Sequence, residues 1–185
     1  KNYQDLEYCE PFCGGASIFL NKEKCQEETL CDVDPGIISI LKSLRDEPKE
    51  FIKSLNKKKY TERTFKIAQN KIENKEFDDY IEKATNEYIV RRMSRGGLKK
   101  TFSWSDRKRG GIPGDVNAWN TMIKQLSLCS QKLQDTSIIL SDFKDVVKNW
   151  NEENSFTYLD PPYLPDTRTS LDVYEYELTL EDHID

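Results

Sequence analysis

The chain is poor in histidine and has no long apolar run. His183 is the single histidine among 185 residues, and it follows Glu181 and Asp182 in a polar segment. We interpret it as a surface or helix residue rather than as a general base or a metal ligand. No apolar run approaches the roughly 18 residues of a membrane span, and no signal-peptide pattern opens the sequence. The sequence therefore predicts no membrane partner.

A cysteine pattern typical of metal binding is also missing. The five cysteines are odd in number and include no C-x-x-C pair: Cys9, Cys13, Cys25, Cys31 and Cys129. Cys9, Cys13 and Cys31 lie in or beside apolar, strand-like stretches, where free thiols behave as small hydrophobic side chains. We therefore predict no zinc or other metal site, and we expect a reducing, cytoplasmic compartment.

The length and composition suit a small cored protein. With 185 residues, 36% of them hydrophobic and 33% charged, the chain can form one domain with a small insertion. It contains no internal repeat and no low-complexity tract. The sequence lacks an initiator methionine and both ends stop abruptly, so we expect a portion of a longer protein.

The positive charges are unevenly distributed along the chain. The net charge of −5 argues mildly against a general polyanion binder. One short stretch, however, contains eight cations and the single acid Asp106: Arg91, Arg92, Arg95, Lys99, Lys100, Arg107, Lys108 and Arg109. Local charge matters more than the total for phosphate contact. A solvated basic loop is the alternative interpretation of such a charge run.

Four short segments have the apolar or β-branched composition of strands, and each ends at a polar or turn residue. They are Leu6–Pro11, Thr29–Val33, Ser137–Ser141 and Phe156–Leu159. A helix-sized stretch opens at Ser17, and the apolar residues after Pro35 have helical spacing. This βαβα order predicts an α/β fold with a parallel, doubly wound sheet.

The alternation of strands and helices stops over residues 48–132, which are lysine-rich and mostly helical in pattern. A glycine-rich, basic and aromatic stretch at Gly96–Gly114 interrupts this region. We predict an α/β domain made of residues 1–47 and 133–185. Residues 48–132 then form a mostly helical insert. We expect this insert to recognise the substrate, because the sheet does not need it in order to form.

The segment Asp160-Pro161-Pro162-Tyr163 ends the fourth predicted strand, which we expect to be buried. In an open α/β sheet, ligands bind beyond the carboxyl ends of the strands. The proline rings fix φ and so hold the flanking groups in one arrangement. A carboxylate beside a carbonyl can accept both hydrogens of a planar amine, and the tyrosine ring can stack on a flat base. The alternative is a plain Pro-Pro turn with a solvated aspartate.

Two further strand ends carry residues suited to a nucleotide ligand. The first strand continues into a turn with Gly14 and Gly15, where a ligand can approach the backbone, although a tight βα turn is the alternative. Asp32 ends the second strand and is placed to bind the hydroxyls of a ribose. Asp34 is better suited to cap the next helix.

The third strand ends in Ser141-Asp142-Phe143. Asp142 can accept a hydrogen bond from an adenine amino group while Phe143 covers the ring. The spacing fits equally well with Asp142 as the N-cap of a helix over Phe143–Trp150. Both interpretations place Asp142 at the carboxyl edge of the sheet.

Glu10–Ser17, Asp32 and Asp160–Tyr163, with an insert after the second strand, resemble the adenine-specific DNA methyltransferases related to the Dam methylase. The order of the motifs agrees over nearly the whole chain. Tyr174-Glu175-Tyr176 with Leu178–His183 is also similar to the segment that comes after Asp-Pro-Pro-Tyr in that family. The resemblance implies a Rossmann-like fold, a target-recognition insert and S-adenosylmethionine as cofactor. The cofactor contacts that it implies are Glu10, Pro11, Phe12, Gly14, Gly15, Asp32, Asp142, Phe143 and Asp160.

The resemblance assigns catalysis to Asp160, Pro161, Pro162 and Tyr163. Adenine inside a duplex cannot meet a methyl donor, so the base is flipped out of the stack. Asp160 and the carbonyl of Pro161 would accept the two amino hydrogens, and Tyr163 would stack on the base. The enzyme would supply positioning and electrostatics, without a metal.

The chain departs from the family at two places. Ala16 stands where the family often has a further glycine, which is a small change. The family also has a segment before the glycine turn that contacts the methionine end of the cofactor, and strands after the one that carries Asp160. We therefore expect an incomplete methyltransferase portion with little activity of its own.

Beside a base-modifying motif, the basic stretch predicts contact with double-stranded DNA. Phe102 and Trp104 lie among its cations, and an inserted side chain can support or replace a flipped base. Asn117, Trp119 and Asn120 can reach bases from the insert or can begin the next helix, and we prefer the interpretation of Asn117 as its cap.

The sequence thus predicts methyl transfer from S-adenosylmethionine to the exocyclic amine of adenine in duplex DNA. A catalytically inactive DNA-binding remnant of the same fold is the alternative from another class. Cytosine amine, RNA and protein glutamine are alternative acceptors. The basic insert disfavours protein glutamine as the acceptor. So does Asp160, because an asparagine at this position would have favoured a glutamine acceptor.

Overall fold

The computed structural model describes residues 2–105, 107–148, 153–164, 167 and 176–183. The chain divides into two compact units, one made of residues 1–38 and 135–185 and the other of residues 39–134. The predicted insert at residues 48–132 falls within the second unit. The domain boundaries drawn from the sequence stay a prediction.

The elements are, in chain order, β1 (Glu7–Glu10), α1 (Ser17–Asn21), β2 (Glu27–Asp32), α2 (Pro35–Asp46), α3 (Pro48–Asn56), α4 (Glu62–Asn74), α5 (Tyr80–Met93), β3 (Lys108–Arg109), β4 (Ile112–Pro113), α6 (Gly114–Leu133), β5 (Ser137–Leu140), α7 (Phe143–Lys148) and β6 (Ser155–Thr157). Single turns of 3-10 helix cover Tyr3–Asp5, Arg95–Gly97 and Glu181–His183. The predicted helix over Phe143–Trp150 thus forms at Phe143–Lys148, and residues 149 and 150 lie outside the described residues.

The first unit is built on a parallel sheet with the strand order β5-β2-β1-β6. In its register Cys9 lies beside Thr29 and Thr157, and Asp32 lies beside Leu140. The chain adds strands outward from β1 to β2 and β5, and then returns to the other side of β1 for β6. The sheet is therefore doubly wound, as predicted, with its switch point between β1 and β6.

The centre of this sheet is buried on both faces. Tyr8, Cys9 and Glu10 are consecutive in β1, so their side chains alternate between the faces, and all three are buried. The five cysteines are free thiols, and Cys9 and Cys31 pack with Val146 in the core. Burial raises the pKa of Cys9 to about 12 and that of Cys31 to about 11. The prediction that the strand cysteines act as small hydrophobic residues is confirmed.

Helix α2 begins as its sequence predicts. Asp34 accepts backbone hydrogen bonds from Gly36 at 2.7 Å and Ile37 at 3.3 Å, which satisfies two N–H groups of the first turn. Pro35 occupies the first helical position, where a missing N–H is harmless. The predicted capping role of Asp34 is therefore confirmed.

The prediction of a buried fourth strand over Phe156–Leu159 is wrong. The strand is Ser155–Thr157, and the side chains of Phe156 and Leu159 are 43% and 57% exposed. Within the described residues β6 pairs with β1 alone, and it is covered less than β1 and β2. Pairing continues one residue further, because the Tyr158 N–H donates to the Cys9 carbonyl at 2.9 Å.

The second unit packs its helices around aromatic side chains. The ring of Tyr88 on α5 lies 6.0 Å from that of Phe51 on α3 and 5.8 Å from that of Trp119 on α6. Tyr60, just before α4, adds a contact to Trp119 at 6.2 Å. The mostly helical pattern predicted for this region is confirmed. No helix of the described residues is both long enough and apolar enough to cross a membrane.

The glycine-rich stretch contains a hairpin that the sequence did not predict. Strands β3 and β4 pair in antiparallel register, with Arg109 opposite Ile112. The connecting residues Gly110 and Gly111 have φ values of 59° and 81°, as a two-residue turn of type I′ requires.

Asn117 is not a helix cap, because α6 begins earlier, at Gly114. The Gly114 N–H donates to the Arg107 carbonyl at 2.8 Å, so the base of the hairpin satisfies one N–H of the first helical turn. The preceding Pro113 forms no side-chain cap. Asn117 therefore lies inside the helix, with an exposed side chain.

Candidate functional site

The carboxyl ends of four parallel strands bring the predicted cofactor and catalytic residues to one edge of the sheet. Glu10 ends β1 and Asp32 ends β2, while Asp142 and Asp160 closely follow β5 and β6. Since β1 and β6 are neighbours, the glycine turn and the Asp160 segment flank the switch point. This is the place where open α/β sheets bind nucleotide ligands.

The glycine turn is held to the end of β2 by backbone hydrogen bonds. The Cys13 N–H donates to the Cys31 carbonyl at 2.9 Å. Asp32 accepts from the Gly14 N–H at 2.8 Å with one carboxylate oxygen and from the Asp34 N–H at 2.9 Å with the other. Asp32 therefore supports the turn from the end of β2, and a carboxylate oxygen can accept more than one hydrogen bond.

Open space lies beside the glycine turn. A Cβ atom built on Gly14 or Gly15 would meet no other atom within 4 Å. Gly14 has a φ of 46° and needs glycine for its conformation, whereas Gly15 has no such requirement. The turn is therefore a cradle that a ligand can approach closely, and it fits a nucleotide cofactor.

Phe12 and Phe143 meet beside this turn, with ring centroids 4.9 Å apart. Both rings are half-buried, so each keeps a part of its surface for a further flat group. Asp142 accepts the Lys144 N–H at 2.9 Å with its side chain. This bond satisfies the start of α7, and the capping interpretation of Asp142 is confirmed.

Glu10 is a buried carboxylate, only 2% exposed. The Tyr8 hydroxyl donates to it at 2.5 Å, and the Phe19 N–H of α1 donates as well. Burial raises the pKa of Glu10; the bonds from Tyr8 and Phe19 and the charge of Lys22 lower it, while Asp160 raises it. Glu10 therefore joins the end of β1 to the start of α1.

Sequence reasoning missed the charged network behind Glu10. Tyr8 lies beside Glu28 in the register of β1 and β2. The Lys22 ammonium lies 4.0 Å from the centre of the Tyr8 ring and forms an ion pair with Glu28. No local pattern could have revealed this network, because its members meet only through the pairing of β1 with β2 and the position of Lys22 just after α1.

The Asp160–Tyr163 segment presents its polar groups outward. Asp160 is exposed, and the Tyr163 side chain is 65% exposed, while Pro161 and Pro162 are half-buried. Burial and, to a smaller extent, the charge of Asp160 raise the pKa of Glu10. An exposed acid and aromatic ring next to a rigid Pro-Pro pair are therefore available to a flat, amine-bearing ligand.

The second unit holds the eight cations that we predict to contact DNA. Five of them have exposed side chains: Arg92, Arg95, Lys100, Arg107 and Lys108. Lys99 is half-buried, and its backbone N–H donates to the Ser94 hydroxyl at 2.9 Å. Arg91 forms an ion pair with Glu87 at 3.1 Å in a largely buried setting. The side chain of Arg109 lies outside the described residues.

The loop that carries Arg95 and Lys100 is anchored at its base. The Arg95 N–H donates to the Thr101 carbonyl at 2.9 Å, and the Ser103 N–H donates to the Met93 carbonyl at 2.8 Å. Phe102 packs against Tyr60 and Phe65 at 5.4 and 6.0 Å, whereas Trp104 is 50% exposed. Of the two aromatic residues in this stretch, Trp104 is thus the more accessible.

A groove of about 560 Å³, which we call the α6 groove, gathers three of the predicted DNA-contacting residues. It is lined by Arg92 of α5, by Ser105 and Arg107, and by a face of α6 that includes Asn117, Thr121 and Gln125. Among the described residues no cluster of three His, Cys, Asp or Glu side chains could hold a metal ion.

A doubly wound sheet with a glycine turn after its first strand and an acid at the end of its second is typical of nucleotide-binding α/β proteins. The chain belongs to the D12 class N6 adenine-specific DNA methyltransferase family, whose model matches residues 1–185. The predicted resemblance and the Rossmann-like fold class are therefore confirmed. Membership of this family implies a methyl donor.

Curated relatives agree with this assignment. The chain is 26% identical over 185 residues to a type II methyltransferase of Methanocaldococcus jannaschii, covering 89% of this chain and 61% of the relative. It is 24% identical over 167 residues to a DNA adenine methylase of Vibrio cholerae, covering 89% and 58%. A type II methyltransferase of a Paramecium bursaria Chlorella virus is 22% identical over 161 residues, covering 84% and 58%. The chain thus spans about three fifths of the length of these relatives.

Proposed function

We propose that this chain is the cofactor-binding and base-clamping part of an enzyme that methylates the exocyclic amine of adenine in duplex DNA. The observation that carries the proposal is that the glycine turn, Asp32 and Asp160 lie at the carboxyl edge of a parallel sheet, with the turn and the Asp160 segment on either side of its switch point. Family membership over residues 1–185 supports the same chemistry.

S-adenosylmethionine is the methyl donor that fits this cradle, and its sulfonium supplies an activated methyl group. Gly14 and Gly15 would allow close approach to the backbone, and Asp32 would accept hydrogen bonds from the ribose hydroxyls. Phe12 and Phe143 would enclose the flat base of the cofactor, with Asp142 at the edge of that pocket. Glu10 and Pro11 would hold the start of the turn.

Asp160 and the Pro161 carbonyl would accept the two hydrogens of the adenine amine. These bonds draw the nitrogen lone pair out of conjugation with the ring, which makes it available for bond formation. The Pro161-Pro162 pair keeps the acceptors in place before the base arrives, so little reorganisation is needed. Tyr163 would stack on the flipped base, as its exposure allows.

The substrate that we propose is duplex DNA. The exposed cations of the second unit would neutralise phosphates and fix the position of the duplex. A base must leave the stack to reach Asp160, since its amine is otherwise enclosed in the helix. Trp104 is the accessible aromatic residue that could support the opened duplex.

One labelling experiment tests the proposal. The full-length parent protein is incubated with S-adenosylmethionine carrying a labelled methyl group and with duplex DNA, and the DNA is digested to nucleosides. Label in N6-methyladenosine supports the proposal, whereas label in a methylcytidine would reassign the acceptor. Duplex binding without any transfer would support the inactive remnant and refute the proposed enzyme.

A further inference from the structure

We propose that the α6 groove reads base edges of the target sequence, with Asn117, Thr121 and Gln125 as the reading side chains. This inference rests on the proposed function in one respect, because it takes duplex DNA as the ligand. It adds two residues, Thr121 and Gln125, to those that the sequence pattern identified, and it gives Asn117 a defined role.

The three side chains form a row on a rigid helix. They are spaced by four residues, so they lie above one another on one face of α6. All three are exposed. The opposite face of the helix is fixed in the core by Trp119, Ile123 and Leu126, which are buried. A row supported in this way keeps its spacing when a ligand binds.

The chemistry of the row suits bases rather than phosphates. Amide side chains such as those of Asn117 and Gln125 can donate to N7 and accept from N6 of adenine in a bidentate pair. The Thr121 hydroxyl can donate or accept, and its methyl group can contact the methyl group of thymine. None of the three carries a charge, so the row gives little of the sequence-independent attraction that cations provide.

Cations border the same groove. Arg92 and Arg107 line it together with the row, and none of its described lining residues is acidic. The Arg107 backbone is fixed to the start of α6 by the hydrogen bond from Gly114 at 2.8 Å. The cations can therefore hold phosphates while the neutral row faces base edges. An α-helix is about 10–12 Å across with its side chains, which matches a major groove about 12 Å wide.

The experiment is a binding selection from randomised duplexes, carried out with the full-length protein and without a methyl donor. The wild type is compared with Asn117→Ala, Thr121→Ala and Gln125→Ala. Each variant should lose about tenfold or more of its discrimination at a single base-pair position and keep its affinity for unrelated duplexes. Arg107→Ala should instead weaken binding to all duplexes alike.

Matched controls lie on the same helix. Asn120 and Gln131 are exposed on α6 but do not line the groove, so Asn120→Ala and Gln131→Ala should keep the wild-type sequence preference. Thermal unfolding of each variant separates a loss of folding from a loss of recognition.

The inference is overturned if the three groove variants keep the wild-type preference or lose affinity uniformly. It is also overturned if the wild type selects no sequence, or prefers RNA to duplex DNA. A methylation assay on the same preparations tests the proposed function separately. Sequence-selective binding without transfer would refute the enzyme, and the groove would then be judged by its variants alone.

Discussion

The two units hold the residues to which we assign functions in opposite ways. In the first unit the residues lie at strand ends and are tied together by hydrogen bonds from main-chain N–H groups, such as the bond from the Gly14 N–H to the Asp32 carboxylate at 2.8 Å. In the second unit they are exposed side chains on a loop, a hairpin and a helix face, as with Arg95, Lys108 and Gln125. The chemistry that we propose for the first unit needs fixed geometry, whereas the recognition that we propose for the second depends on side chains that can be exchanged without changing the fold.

The charges of the two units differ as well. The carboxyl edge of the sheet gathers acids, among them Glu10, Asp32 and Asp160, which can accept from hydroxyls and amines. The exposed functional surface of the second unit is basic, which suits a phosphate backbone. Variants in the two units should therefore separate catalysis from binding.

The largest effect is expected from Asp160→Ala. Loss of the acceptor carboxylate should lower the single-turnover rate of methyl transfer by roughly 10²–10³ or more. Duplex affinity, measured by fluorescence anisotropy, should change less than about threefold, because binding to phosphates lies elsewhere. Asp160→Asn is the matched control that keeps the shape of the side chain. Equal losses of rate and affinity would show that Asp160 acts in binding and would remove the proposed separation.

The glycine turn provides the second contrast. Gly15→Ala adds a methyl group that meets no protein atom, so it should weaken binding of S-adenosylmethionine about tenfold while the free energy of unfolding stays unchanged or rises by about 0.4–1 kcal/mol. Gly14→Ala should instead destabilise the fold by about 1–2 kcal/mol, since its φ is 46°. Calorimetric titration and urea unfolding distinguish the two. Unweakened cofactor binding by Gly15→Ala would argue against the cradle.

Two arginines only four residues apart sharpen the comparison within the second unit. Arg91→Ala leaves the buried Glu87 without its ion pair and should lower the free energy of unfolding by about 3 kcal/mol. Arg95→Ala should leave stability within about 0.5 kcal/mol. It should also reduce the slope of log affinity against log salt concentration by about one. The idea that Arg95 contacts phosphate fails if this slope is unchanged.

The smallest effect concerns the pH dependence of stability. The pKa of Glu10 is raised by burial, so its favourable contribution is present below the ordinary glutamate pKa of about 4.3 and is lost as pH rises through the raised value. Glu10→Gln should reduce this loss. Tyr8→Phe removes a hydrogen bond that lowers the pKa of Glu10 and should enlarge the loss. Urea unfolding between pH 4.5 and 8 compares the three proteins, and identical pH profiles would contradict the account.

The sequence predicted the first unit better than the second. Local patterns identify its strand ends, because glycines after one strand and an acid at the end of the next are together typical of nucleotide-binding sheets. The exposure of Phe156 could not be predicted, since it depends on which strands pair. The same holds for the contacts of Lys22 with both Tyr8 and Glu28, since the register of β1 and β2 places Tyr8 beside Glu28.

In the second unit, periodicity predicted the helices but not the surface. The hairpin of β3 and β4 is too short to show alternation, and only Gly110-Gly111 marks its turn. Asn117 was misjudged as a cap because the hydrogen bond from Gly114 to Arg107 starts α6 earlier. The groove residues Thr121 and Gln125 give no local signal, since exposed polar residues are common on helices. Only the structure shows that Arg92 and Arg107 line the same groove.

The most direct test is a map of methylated positions in a random duplex library treated with the full-length protein and S-adenosylmethionine. N6-methyladenine should be confined to one sequence context, Asp160→Ala should abolish the signal, and Gln125→Ala should broaden the context. Absence of N6-methyladenine would contradict the proposed binding of adenine by the Asp160 segment of the first unit. Equal methylation in every sequence context would contradict the proposed reading of the target sequence by the second unit.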